Sequence, residues 1–106
     1  MADTLKRYMV QISNGADTAV MPTSTSVKTL LSCIVHNTSA TDVTFDLTAY
    51  AGSATHNLLK NQSLPAKSTF IWNSKVTFEA NEYLKVDPSA SVTYVGVLTS
   101  YLDQTA

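Results

Sequence analysis

The chain has 106 residues, a length for one domain and too short for two, with a hydrophobic content of 44% that can fill a core of its own. Its net charge is −1, and Lys6-Arg7 is the only adjacent pair of cations, so there is no basic stripe to neutralise a phosphate backbone and direct nucleic-acid binding is not expected. Charged residues make up only 14%, against roughly 25% in an ordinary domain, and Ser, Thr, Asn and Gln take their place, which makes the surface cheap to desolvate against a neighbour.

In chain order, KRYMVQIS predicts a first strand closed by the turn pair Asn14-Gly15. A short DTAVM follows and stops at Pro22, and Thr23 to Ser26 form a loop. SVKTLLSCIVHN predicts a strand with Val27, Leu31, Cys33 and Val35 on one face and Leu30 and Ile34 on the other, beside Lys28, Ser32 and His36. Both faces are partly apolar, so this strand is central or covered by a partner. Asn37 to Asp42 supply turn residues, and the next run, DVTFDLTAYA, alternates Val43, Phe45, Leu47 and Ala49 against Asp42, Thr44, Asp46 and Thr48. The two runs read as a hairpin.

Ala51 to Thr55 predict a loop, and HNLLKNQSL suits either a strand or a loose turn before Pro65. STFIWN, KVTFEA and EYLKVDP predict short strands, with turns at Asn81 and at Asp87-Pro88-Ser89. The last run, SVTYVGVLTSYL, again carries apolar residues on both faces, and Gly96 in its middle suggests a bulge or a close backbone approach. No segment shows a 3.6-residue period. The expectation is a single all-β domain over residues 1–106, an antiparallel β-sandwich of jelly-roll or immunoglobulin-like topology, with residues 1–8 able to extend as an N-terminal arm.

Candidate chemistry is sparse. His36, His56, Asp46 and many serines exist, yet no G-x-S-x-G elbow marks a nucleophile. Cys33 and His36 have a spacing that sends their side chains to opposite faces of a strand, away from a shared metal. Cys33 is the single cysteine, which excludes an intrachain disulfide and reads as a small buried hydrophobe. Asp42 and Asp46 share a strand face but read as solvated edge acids rather than a hydrolytic pair. No phosphate-cradling loop and no calcium loop of EF-hand type are present, and neither enzyme activity nor a cofactor is expected. The sequons Asn37-Thr38-Ser39 and Asn61-Gln62-Ser63 read as chance without a secretory signal. The N-terminus lacks the apolar run of a signal peptide, and no stretch approaches a membrane span, so synthesis in a reducing cytoplasm and no membrane partner are expected.

Two runs, LLSCIVHNTSATDVTFDLTAY and VTFEANEYLKVDPSASVTYVGVLTSYLD, resemble a family of small virion proteins of tailed bacteriophages, including phages of cyanobacteria. The resembling features are the strand-turn-strand from Ile34 to Phe45, the element Tyr83-Leu84-Lys85-Val86 and the closing Ser100 to Asp103, and the resemblance spans roughly residues 18 to 103. The chain departs from the family where Pro22-Thr23-Ser24-Thr25 replaces the usual Pro-Ala-Gly-Lys. The resemblance implies a non-enzymatic virion part, such as a capsid decoration (cement), neck or tail component. Its partners would be the major capsid protein or neck and tail proteins, and copies of itself as a homo-oligomer. Candidate contact residues are Leu30 and Ile34, Tyr94 and Leu98, and Tyr8 in the arm. The alternative is a carbohydrate- or receptor-binding module with Trp72 or Tyr50 as a stacking plate, although Trp72 and Phe70 also suit a core.

Overall fold

In the computed structural model, residues 2–13, 17–23, 25–51, 54–88 and 95–105 are described. They form β1 (Ala2–Ile12), β2 (Thr18–Ala19), β3 (Val27–Asn37), β4 (Val43–Ala51), β5 (Ala54–Leu64), β6 (Thr69–Trp72), β7 (Val76–Phe78), β8 (Tyr83–Pro88) and β9 (Val95–Thr105). Alternation with β-branched and aromatic residues sets these strands: in β4, Val43, Phe45 and Leu47 are buried while Thr44 and Asp46 are half-exposed.

The strands pair antiparallel in two sheets. The first sheet runs β1, β9, β3, β6, with β7 also on β3; the second runs β2, β8, β4, β5. Since β6 and β7 occupy successive stretches of β3, they act as one interrupted strand. Eight strand positions in two sheets, wound in this order, make a jelly roll. The immunoglobulin-like alternative is set aside.

The core lies between the sheets. Leu30, Cys33, Val35, Val95 and Val97 of the first sheet meet Phe45, Leu47, Leu64, Leu84 and Val86 of the second. The Phe45 and Phe70 rings cross the gap edge to face, 5.5 Å apart. At one margin Lys28 is buried beside its cross-strand partner Asp103, which also pairs with Lys6 at 3.2 Å. Burial holds the Lys28 ammonium below its ordinary pKa, against the pull of Asp103 and Glu82.

Several expectations change. β3 and β4 lie in different sheets, so Asn37 to Asp42 make a crossing connection and not a hairpin turn. Buried Asn37 builds it: its amide donates to Thr41 O at 2.7 Å and Leu64 O at 3.1 Å, while its Oδ1 accepts from the Ser39 N–H at 3.0 Å and the Ser39 hydroxyl at 2.7 Å. The ambiguous stretch before Pro65 is a full strand, β5, which makes the hairpin with β4. Pro88 ends β8 in register with Phe45 and is not in a turn. The turn at Asn81 is present, with Asn81 in the left-handed region at φ 67°. Residues 2–8 are no free arm: they pair with β9 along their whole length, from Ala2 opposite Thr105. Asn14-Gly15, the last residue of the Asp87-Pro88-Ser89 turn and part of the Ala51 to Thr55 loop lie outside the described residues.

Candidate interaction surface

Strand alternation gives each sheet one face toward the core and one face outward. In β9 the odd positions from Val95 to Asp103 are buried and the even positions from Gly96 to Gln104 are half-exposed. Register then assigns the neighbours. Met9 stands opposite Leu98, Leu98 opposite Ile34, and Ile34 opposite Ile71. An apolar row therefore crosses the outer face of the first sheet over four strands. Its two ends are open to solvent, Met9 at 65% and Ile71 at 59% exposed. Leu5, also exposed, and its partner Leu102 extend the apolar area along β1 and β9.

Around the row the face is polar but almost uncharged: Gln11, Thr29, Ser32, His36, Thr69, Thr77, Ser100 and Gln104. Among the strand residues whose side chains are described, Arg7 is its one formal charge. His36 is held by a 2.7 Å contact between its Nδ1 and Thr69 Oγ1. Gly96 lies in this face beside Leu98. Its pairing with both Gln11 and His36 is regular, so no bulge occurs there. A Cβ placed on Gly96 would meet nothing within 4 Å among the described residues, so none of them approaches it closely either.

The outer face of the second sheet has the opposite character. Lys85 pairs with Asp17 at 2.7 Å and Lys60 with Asp46 at 3.1 Å. The Asp46 carboxyl lies below the usual range because the Asn61 N–H donates to it, with Lys60 adding to the effect. Asp87 lies above it, through burial and then the nearby Asp17 and Asp46. Tyr50 and Tyr83 are cross-strand partners here, their rings 5.1 Å apart, with the Lys85 ammonium 5.8 Å from the Tyr50 ring centre.

The sequence-derived contact residues are thus divided. Ile34 and Leu98 meet in the apolar row. Leu30 is not with them: it is 0% exposed, in the core. The cause is a register shift between Leu30 and Ser32, which puts Lys28 and Leu30 on the same side as Cys33 and Val35. The same shift takes Val27, expected inward with Cys33, to the outward phase of Thr29. Tyr8 also leaves the group, because it pairs with buried Thr99 and so points to the inner side of β1, where it is 37% exposed. Tyr94 lies outside the described residues. Trp72 packs with Phe70 against the core and donates its indole N–H to Ser74 O at 2.8 Å. Met9, Ile71 and Leu5 were missed. The phase of Val10 and Ile12, and of Phe70 and Trp72, was the signal that could have found them.

No protein-family model matches the chain, and no curated protein matches it in sequence. Solved structures do match its fold. A structure of the infectious bursal disease virus Gx strain aligns with TM-score 0.59 and 9% identity, over 98% of this chain and 33% of that one. A structure of Eiger TNF from S. frugiperda aligns with TM-score 0.56 and 11% identity, over 98% and 93%. A T13 viral particle of infectious bursal disease virus aligns with TM-score 0.53 and 11% identity, over 98% and 36%. The chain therefore spans about a third of the two viral chains and nearly all of the TNF chain. These likenesses show a jelly-roll fold shared with proteins of a viral particle and with a TNF, and no family assignment.

Proposed function

We propose that this protein is a non-enzymatic virion structural component, of the kind found in tailed bacteriophages as capsid decoration, neck or tail parts, and that it works by packing against neighbouring subunits. The observation that carries this reading is the outer face of the first sheet: a four-strand apolar row in a setting with almost no charge to desolvate. The jelly-roll likeness to viral particle proteins and the sequence resemblance to small phage virion proteins support it. Synthesis in the host cytoplasm and residence in the particle follow from the same reading.

The test is incorporation into particles. Ile34→Asp places a charge in the middle of the row without entering the core. The variant should melt within a few degrees of the wild-type chain and be depleted from particles by at least about tenfold, equivalent to ~1.4 kcal/mol. A control charge on the second sheet, Asn57→Asp, should be incorporated normally. Normal incorporation of Ile34→Asp would contradict the proposal.

A second reading, a carbohydrate- or receptor-binding module, is favoured by one observation: the half-exposed Tyr50–Tyr83 pair beside Lys85. Trp72 lies apart from this pair, on the first sheet, with its indole N–H held by Ser74 O. Host polysaccharide binding that is lost in Tyr50→Ala, with Trp72 emission unchanged throughout, would establish it.

A further inference from the structure

We infer that the partner covering this apolar face is a second copy of the same chain, packed sheet against sheet with Gly96 as the seat for a partner side chain. The inference rests on the assembly reading above and names the occupant of its face.

Three observations favour self-packing. The first is charge. A surface that meets its own copy must not set like charges together, and among the outward-facing strand residues of this sheet whose side chains are described only Arg7 is charged. The second sheet's outer face carries Asp17, Asp46, Lys60, Lys85 and Asp87, charges that a second copy would have to desolvate and match one by one.

The second is the symmetry of the row. A two-fold axis lying in the interface can run along the row or across it. Along the row, Met9, Leu98, Ile34 and Ile71 each meet their own copies. Across the row, Met9 meets Ile71 and Leu98 meets Ile34. Every pairing in both senses is apolar on apolar, so the row is self-complementary in either arrangement. The third is size. Three strands of eleven residues, with the shorter β6 and β7 together as the fourth, at a spacing of about 4.8 Å and about 3.4 Å per residue, give a face of at most about 19 by 37 Å, or about 700 Å². A standard interface buries about 800 Å² per partner.

Gly96 supplies the detail that one chain alone does not explain. It sits in a regular strand, outside the left-handed backbone region, with open space where its Cβ would be. Nothing among the described residues requires a glycine there, and strand glycines weaken their strand. Two sheets packed face to face need holes for knobs at a separation of about 10 Å. A gap in the outer layer next to Leu98 and the His36–Thr69 pair is such a hole.

The experiment is the solution mass of the purified full chain by light scattering over a hundredfold range of concentration, for wild type and Gly96→Val. The wild type should be a dimer or a larger closed oligomer at the top of the range. Gly96→Val should fold, keeping the wild-type circular dichroism, because a β-branched residue suits a strand, and should weaken association by at least about 30-fold through loss of the hole. Ile34→Asp serves as a second variant with the same expected loss. A wild type that stays monomeric throughout overturns self-packing. If Ile34→Asp is then still depleted from particles, the assembly reading stands with another virion protein on the face; if it is incorporated normally, that reading fails as well. An oligomer unchanged by both variants also overturns the inference, since its contacts lie elsewhere.

Discussion

Cys33 lies fully inside the sandwich, with the Thr99 hydroxyl 3.8 Å from its sulfur, and burial pushes its thiol up to about 11. A thiol needs its thiolate to react, so Cys33 should resist thiol reagents in the native chain and label only on unfolding. Titration with a chromogenic disulfide at pH 8, with and without denaturant, checks this. Asp46 has a different task. Its carboxylate accepts from the Asn61 N–H at 2.8 Å, where Asn61 takes a left-handed φ of 53° within the β4–β5 irregularity. Its folded pKa is depressed, so its stabilisation is present above the unfolded value of about 3.9 and is lost as pH falls through the lower folded value. Asp46→Asn should therefore be less stable at pH 6, by at most about 1 kcal/mol for so accessible an ion pair. The difference should vanish in acid, and chemical denaturation at the two pH values measures it. The burial of Cys33 is readable from its place among apolar residues on one strand face, whereas the sequence offers Asp46, like Asp42, only as a solvated acid. In fact each carboxylate accepts from a distant backbone N–H, Asp42 from Ala66 at 2.8 Å.

At the scale of strands, alternation made most of the sheet legible. The phases of β4 and β9 follow from period two alone, and Ile34 and Leu98 were found on that basis. What alternation cannot show is where its phase slips. The irregularity between Leu30 and Ser32 adds one residue to β3, and the inward set changes parity across it. Leu30→Ala should thus cost about 2–5 kcal/mol as a core truncation, whereas Ile34→Ala should cost the isolated chain less than about 1 kcal/mol of burial; urea unfolding of both separates the two. The connection after β3 was misread for a related reason. Asn, Ser and Asp signal a turn, but a turn signal does not tell a hairpin from a crossing. The distinguishing feature is the bond from Asn37 to Leu64 O, a contact across 27 residues. Asn37→Ala would leave buried partners unpaired and should cost about 1–3 kcal/mol in the same unfolding assay.

For the whole molecule, the low charge gives the expectation of a surface cheap to desolvate, and the two sheets show how the charge is distributed. The second sheet keeps its ions in pairs on the outside, while the first exposes an apolar row. That contrast could not be seen in composition, because it depends on which strands join which sheet. The central claim is that the first sheet's outer face is covered in the assembled state. Cys33 is buried and should stay unlabelled in the native chain, so single cysteines can be placed at Leu98 and at Asn57 and their alkylation rates compared in the dilute chain and in assembled material. The account predicts that Leu98→Cys slows by at least about tenfold on assembly, while Asn57→Cys keeps its rate. Equal rates for Leu98→Cys in both states would contradict it.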